Sequence, residues 1–419
     1  MIWAMILLAI YQLYLAFLVG YLLLLTVAAW KAPRTTVSPD AEAGIRFLIL
    51  IPAHNEERLL PDLLSSLAAL DYPPELYEIH VVADNCTDGT VAVAHRSNVH
   101  LHIRNDREHL GKGCALNWLL EQIRQKGEMY EAIVFLDADS VVSSNFLQVM
   151  SVHLEYGERA IQAYYAVRDP GKSWVGSLRY AALAVLHFLR PLGRKSLGLS
   201  AGLKGNGMVF TADLMECYSW SPSLTEDIEL HMALLLAGEQ VTFAPDAVVW
   251  GEMPNNLTSS KSQHMRWEQG RKQMARAYIP KLLVLAWHEL RAVRLKRAVI
   301  LVDAIMEYLE PPFSILAGAS FLSLVVSLAF FVLEMTIDPW MSLGMHRSLA
   351  LLNVLLATGL LLGQGIYLYS GLRTISAPKQ VYLNLLFAPR LIVWKTWQMF
   401  HLLLGRGQNS WIRTKRNEG

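Results

Sequence analysis

Residues 2–30 contain no Asp, Glu, Lys or Arg. About 20 apolar residues are enough to cross the hydrocarbon core of a bilayer, so this run spans it with room for tilt. A secretory signal would carry a basic start, a shorter apolar core and a small-residue cleavage site. Here no basic residue precedes the run, and Lys31 and Arg34 follow it. The segment therefore reads as an uncleaved anchor whose C-terminal end faces the cytoplasm, the side that collects Lys and Arg.

Two further charge-free runs, 313–333 and 348–372, are longer than ordinary buried helices and read as two more spans joined by an external segment, 334–347. Beyond them Arg373, Lys379, Arg390, Lys395, Arg406, Arg413, Lys415 and Arg416 accumulate against a single acid, Glu418, as in a cytoplasmic tail. Residues 382–404 are apolar but contain Pro389, Arg390 and Lys395, and a span there would carry the basic end outside. An amphipathic helix lying in the interface fits better. Residues 288–312 mix Arg291, Arg294, Lys296 and Arg297 with apolar side chains and suit the same cytoplasmic surface. The resulting layout is a transmembrane helix over 1–30, a cytoplasmic domain over 31–280, an amphipathic interfacial region over 281–312, two transmembrane helices within 313–372 and a basic tail over 373–419. It describes a multi-pass protein of the cell or inner membrane.

Charged residues make up 17% of the 419-residue chain, below the roughly 25% of soluble domains. Their near balance, 37 basic against 36 acidic, excludes a dedicated nucleic-acid binder, and 53% hydrophobic residues exclude disorder. Cys86, Cys114 and Cys217 have neither the number nor the spacing of a disulfide framework or a cysteine zinc site.

Between the anchors the character changes. Residues 46–51, 79–83, 99–103 and 132–136 are short β-rich apolar runs, and 57–70, 90–96 and 112–125 between them have helical periodicity. Continuous apolar strands alternating with helices imply an α/β domain, a parallel sheet covered on both faces. Such sheets bind ligands beyond the C-terminal ends of their strands. The first strand is followed by Pro52-Ala53-His54-Asn55-Glu56-Glu57, the second by Asp84-Asn85-Cys86-Thr87-Asp88-Gly89-Thr90, and the fourth by Asp137-Ala138-Asp139-Ser140. No Gly-x-Gly-x-x-Gly turn occurs, which argues against a dinucleotide dehydrogenase, and no phosphate-cradling loop ending in Lys-Ser/Thr is present.

In extended backbone Asp137 and Asp139 project to the same side and can converge on a hard divalent cation, Mg²⁺ or Mn²⁺. The alternative is an acidic turn that caps a helix beginning near Ser143. Further on stand Lys204-Gly205-Asn206-Gly207-Met208-Val209-Phe210 and Thr225-Glu226-Asp227. Thr followed by two acids is also how a helix begins, and residues 228–236 have helical character. In Gln263-His264-Met265-Arg266-Trp267, Gln263, Arg266 and Trp267 fall at i, i+3 and i+4 on one helix face. The basic neighbours Lys261, Arg271, Lys272 and Arg276 would equally suit a membrane-surface helix.

The order of these motifs, from about residue 47 to 267, resembles glycosyltransferase family 2, the inverting enzymes that include cellulose, chitin and hyaluronan synthases and ceramide glucosyltransferase. The resemblance implies a GT-A fold, a Rossmann-like nucleotide-sugar-binding α/β domain. It implies that Pro52, Ala53, Asn55 and Glu57 belong to a nucleotide-contacting loop, that Asp84 recognises the base with Asp88 in the same loop, and that Lys112 serves the donor site. Asp137 and Asp139 match the metal pair, Mg²⁺ or Mn²⁺ being the cofactor. Gly205, Asn206 and Gly207 match the acceptor-side strand, Glu226 and Asp227 the signature of the catalytic base, which is Asp227. Gln263 and Arg266 would contact the donor diphosphate, and Trp267 the acceptor sugar. One departure is Ala83-Asp84-Asn85, where many relatives have two adjacent acids.

The implied reaction is transfer from a nucleotide-diphosphate sugar, a UDP-sugar by preference, to an acceptor hydroxyl with inversion at the anomeric carbon. A growing polysaccharide is the expected acceptor. Transfer of one sugar to a membrane lipid such as ceramide, diacylglycerol or a polyprenyl phosphate is the alternative, favoured by the small number of spans. A non-catalytic nucleotide-sugar-binding membrane protein would be expected to have a broken base or metal motif, and neither is broken. The partners are thus a nucleotide sugar, a glycan or lipid acceptor and the bilayer, with no nucleic acid.

Overall fold

The computed structural model describes residues 1–32, 44–127, 129–223, 225–253, 257–337 and 345–403. Much of the joining segment 334–347 and the basic residues beyond 403 lie outside the described residues, so Arg406, Arg413, Lys415 and Arg416 do too.

A long helix, α1 (Ile2–Trp30), is followed by β1 (Phe47–Ala53), α2 (Leu60–Ala68), β2 (Tyr77–Asp84), α3 (Thr90–His95), β3 (His100–Arg104), α4 (Lys112–Lys126), β4 (Ala132–Phe135), β5 (Ser140–Val142) and α5 (Phe146–Glu155). Then come β6 (Ala160–Val167), α6 (Trp174–Leu183), a π-helical turn (Ala184–Leu189), α7 (Arg190–Ser196), β7 (Met208–Thr211), α8 (Ala212–Glu216), α9 (Glu226–Ala237) and β8 (Thr242–Gly251). The chain continues through α10 (Leu257–Arg291), α11 (Leu295–Leu309), α12 (Phe313–Ile337), α13 (Met345–Thr374), α14 (Lys379–Asn384) and α15 (Ala388–Leu403).

The strands form one eight-stranded sheet in the order β3-β2-β1-β4-β7-β6-β8-β5. Its first half, β3-β2-β1-β4, is parallel, as the alternation of apolar strands and helices implies. The second half is mixed, with β7 antiparallel to both β4 and β6. A fully parallel sheet is therefore corrected to a mixed one. A buried strand reads as the same apolar run in either direction, so periodicity carries no sign of the reversal.

Alternation along β1 explains the burial on both faces. Phe47, Ile49 and Ile51 join the core with Leu60, Leu63 and Leu67 of α2, while Leu48 and Leu50 face Leu116, Leu119 and Ile123 of α4. Successive side chains point to opposite faces, so only an all-apolar strand can fill both layers.

Three helices are long and apolar enough to cross a membrane: Ile2–Trp30, Phe313–Thr336 and His346–Thr374. Their mutual packing includes polar contacts that the hydropathy hides. Gln12 Nε2 donates to Ser323 Oγ and Ser327 Oγ at 2.9 Å each, and Gln364 Nε2 to Ser320 Oγ at 2.7 Å. Helix α10 runs on through Pro280 to Arg291, so no element ends at the expected domain limit of 280. Exposed Leu283, Val284, Trp287, Leu290, Leu295, Val299 and Val302 leave an apolar surface along the end of α10 and along α11. Residues 382–404 do not make one helix: α14, a 3₁₀ turn (Leu385–Phe387) and α15 follow one another, with Pro389 in the first turn of α15.

Candidate active site

The C-terminal ends of β1, β2 and β4 open into a cavity of about 730 Å³ whose far wall comes from the start of α9, from α10 and from α11. Ligand crevices of α/β sheets lie at such strand ends.

The side on which the motifs imply a donor begins with two loops stitched together. Asn55 Oδ1 accepts from Thr87 N at 2.7 Å, Glu57 Oε2 from Gly89 N at 2.7 Å, and Asp88 Oδ2 from Glu57 N at 3.2 Å. Pro52, Ala53 and Asp84 line the cavity, whereas Asn55 and Glu57 are not among its lining residues and act as struts between the loops. Asp88 Oδ1 accepts from both the N–H (3.0 Å) and the hydroxyl (2.6 Å) of Thr90, which ties it to the first turn of α3. Asp84 ends β2 beside Arg104, which ends β3, and the Arg104 guanidinium reaches its carboxylate at 2.6 Å. Burial raises the Asp84 carboxyl above its usual range, against the pull of Arg104.

The Asp-x-Asp turn leads into the short strand β5, and the next helix starts only at Phe146, so neither carboxylate caps it. Both line the cavity, Asp139 being only 9% exposed. Lys112, the first residue of α4, donates to Asp137 Oδ1 and to the Gly205 carbonyl, each at 2.5 Å. Burial works against the Lys112 charge, yet Asp137, Glu226 and Asp227 together raise its pKa, so it stays an ammonium. Asn206 is wholly buried and shapes this turn. Its Oδ1 accepts from Asp137 N at 3.1 Å and its Nδ2 donates to Ser140 Oγ at 2.7 Å. Asn206 and Gly207 are absent from the cavity lining, in contrast to the acceptor contact expected of them. Gly207, at φ +66°, lies where a Cβ would meet Val249 Cγ2 at 2.7 Å, a packing requirement within the sheet.

Gly205 does face the cavity. A Cβ on it would stand 3.1 Å from Asp227 Oδ2, so the strand approach and the carboxylate share one narrow place. Glu226 and Asp227 form the first turn of α9, where the helix dipole favours carboxylates. Burial, with Glu226 beside it, nevertheless pushes the Asp227 carboxyl up to about 7, against the Ile228 N–H and the charges of Lys112 and Lys204. A carboxyl poised near neutrality is suited to accept a proton.

Arg266 and Trp267 of α10 both line the cavity. Arg266 Nε is buried and has no acceptor among the described residues. The Arg179 guanidinium lies 5.6 Å from the centroid of the Trp267 ring. Helix α10 approaches α9 at Gly270, where a Cβ would stand 2.3 Å from Thr225 Cγ2. The side chain of Gln263 lies outside the described residues.

The cavity thus brings together Pro52, Ala53, Asp84, Lys112, Asp137, Asp139, Gly205, Glu226, Asp227, Arg266 and Trp267. It also contains Lys204, which opens the 204–210 motif but had no role assigned, and four residues the motifs did not reveal: His187, Arg190, Glu307 and Tyr308. Lys204 Nζ meets Glu307 Oε1 at 3.0 Å, and Lys204 and Arg194 hold the Glu307 carboxyl well below the usual range against the effect of burial. Lys204 was legible as the first residue of its motif. Nothing in residues 281–312 marks Glu307 as part of a site, because an acid on an amphipathic helix is ordinary.

The sequence matches the model described as "Glycosyltransferase like family 2" over residues 44–270. Poly-β-1,6-N-acetyl-D-glucosamine synthases of Staphylococcus aureus (strain COL) and Staphylococcus epidermidis are each 26% identical to it, over 250 and 240 residues. These matches cover 57% and 54% of this chain and the same shares of the two relatives, so the chain spans little more than half the length of the curated proteins it matches. Among solved structures, a mannosyltransferase from Pyrobaculum calidifontis in complex with GDP-Man and Mn²⁺ superposes with a TM-score of 0.54 at 19% identity, covering 87% of this chain and 97% of that one. That likeness gives the fold, a GT-A domain with a mixed Rossmann-like sheet. The family match covers more than half of the chain and the fold agrees with it: the chain belongs to glycosyltransferase-like family 2.

Proposed function

We propose that the chain is a membrane-bound inverting glycosyltransferase that moves a sugar from a UDP-sugar to the hydroxyl of a growing polysaccharide. The observation that carries this reading is the half-buried Asp227, pushed up to about 7, across one cavity from Asp137, Asp139 and the unpartnered Nε of Arg266. The base binds near Asp84, whose orientation Arg104 fixes. Arg266 donates to the diphosphate, charge-assisted bonds being strongest to such anions. The acceptor hydroxyl enters between Gly205 and Trp267, and Asp227 removes its proton as the oxygen attacks the anomeric carbon from the face opposite the nucleotide. General-base help of this kind is typically worth 10²–10⁴-fold.

The all-oxygen pair Asp137 and Asp139 fits a hard divalent cation, with Asp139 as the main ligand because Lys112 already neutralises Asp137. When bound, Mg²⁺ or Mn²⁺ would stabilise charge on the departing diphosphate. The three apolar helices, with Lys31 and Arg34 after the first, support a multi-pass arrangement whose catalytic domain is cytoplasmic, where nucleotide sugars are made.

The test is mass spectrometry of products from purified membranes or nanodiscs given a panel of UDP- and GDP-sugars. A ladder of oligosaccharides that shortens in Trp267→Ala supports the synthase reading. A single glycolipid, unchanged in size by that substitution, replaces it with transfer to a lipid acceptor. Activity unchanged by EDTA would remove the cation from the scheme.

A further inference from the structure

At the opposite end of β2 from Asp84 lies a second cluster of ligand-bearing side chains. Glu78 and His80 project from one face of β2, and His100 stands beside His80 in the parallel register on β3, the edge strand of the sheet. His80 Nε2 is 3.5 Å and His100 Nε2 3.9 Å from the same oxygen, Glu78 Oε2, and the three atoms lie within 4.8 Å of one another. Ligand atoms bound to one tetrahedral ion at 2.0–2.2 Å stand about 3.3–3.6 Å apart. A small rotation of the half-exposed His100 ring would bring the set to that spacing.

We infer that Glu78, His80 and His100 bind a borderline divalent transition metal, Zn²⁺ in the first place, at the sheet edge and apart from the catalytic cation. Two imidazoles and one carboxylate suit Zn²⁺, with water in the remaining position, whereas the all-oxygen Asp137–Asp139 pair suits Mg²⁺ or Mn²⁺. The surroundings already orient the ligands. Arg46 holds Glu78 Oε1 at 2.8 Å and so turns Oε2 toward the imidazoles. His80 Nδ1 is 3.1 Å from His102 Nε2, and outer contacts of this kind fix the tautomer of a ligating histidine. His80 is fully buried, with the His100 and His102 rings stacked beside it, so its imidazole is held in place.

The ion would pin β3 to β2. Asp84 lies six positions beyond Glu78, about 20 Å along the strand, so the bound metal would not share ligands with the donor site. Its role is structural: it closes the open end of the strand pair whose other end holds the Asp84–Arg104 contact.

The experiment uses tag-free full-length protein in detergent, stripped with a chelator and titrated with Zn²⁺ by calorimetry, with bound metal counted by mass spectrometry after desalting. Wild type and Asp139→Ala are each expected to retain one Zn²⁺ at this site. His100→Ala and Glu78→Gln should bind it at least roughly 100-fold more weakly, as loss of a direct ligand exceeds the 10–100-fold typical of an outer contact. His100 and Glu78 are partly exposed, so the metal-free variants should melt with the metal-free wild type, and Zn²⁺ should raise Tm only where the site is intact. Absence of retained Zn²⁺ in the wild type overturns the inference. So does Zn²⁺ binding that survives both substitutions or that disappears in Asp139→Ala.

Discussion

Asp227 is a carboxyl that begins a helix, where the dipole should keep it ionised, yet burial and Glu226 push it up to about 7. At pH 5 the folded enzyme therefore holds this group protonated and unable to accept the acceptor's proton. As pH rises through about 7 the group ionises, so kcat/KM should climb on the acid side and level off above neutrality, which a pH–rate profile measures. Asp227→Asn should remove that limb and lower turnover by 10²–10⁴-fold, while the nucleotide still binds with nearly wild-type affinity by calorimetry. Wild-type-like turnover in the variant would take the base role away from it. The signature Thr225-Glu226-Asp227 marked this residue as the expected base, and the tertiary structure shows what surrounds it. Gly205, Lys112 and Lys204 converge on it from segments with no local link to α9.

Two close contacts between elements shape the cavity. The ends of β2 and β3 are joined by the buried Asp84–Arg104 pair. Arg104→Leu leaves Asp84 buried without its partner, a change that commonly costs 3–5 kcal/mol. The variant should show a lower Tm and weaker UDP binding, whereas Asp84→Asn with Arg104→Leu together should recover part of the stability. Helix α10, which presents Arg266 and Trp267 to the cavity, closes on Thr225 at Gly270, where a Cβ would stand 2.3 Å from Thr225 Cγ2. Gly270→Ala should displace that face and weaken nucleotide affinity with the fold intact, as read by calorimetry beside circular dichroism. Unchanged affinity would mean that α10 tolerates the shift. Element positions followed from apolar periodicity in β1, β2 and α4, whose core faces are local patterns. The reversal of β7 did not, because its burial is the same in either direction.

Across the whole molecule, the first apolar helix is tied to the cavity wall by buried charges. Arg194 of α7 reaches Asp303 at 3.0 Å and Glu307 at 3.1 Å on α11, and Tyr21 of α1 donates to Asp303 at 2.6 Å. Glu307 then meets Lys204, whose charge acts on Asp227. Arg194→Met should leave Asp303 buried without a cation and Glu307 with Lys204 alone, destabilising the protein by about 3–5 kcal/mol, with activity falling in parallel. Tyr21→Phe removes one hydrogen bond and should cost only about 0.5–1.5 kcal/mol. Thermal unfolding in nanodiscs compares the two. Equal melting of wild type and Arg194→Met would show that α1 and the α/β domain are not coupled through this network.

Local chemistry was enough to find the long apolar helices, the alternating strands and helices, and the ordered motifs from Pro52 to Trp267, because each is written within a few consecutive residues. Asp84, Asp137, Asp139 and Asp227 were readable for that reason. The roles of Asn206 and Gly207 were not, since whether a residue faces a sugar or braces a turn depends on the strands packed against it. Glu307 and Tyr308 were hidden more deeply. They stand about a hundred residues from Lys204 along the chain, on a helix whose sequence reads as membrane surface, and they enter the cavity only because α11 folds back over α9. Sequence separation carries no record of such a contact. Packing against the sheet brings those charges together, and the low-dielectric interior makes their proximity matter.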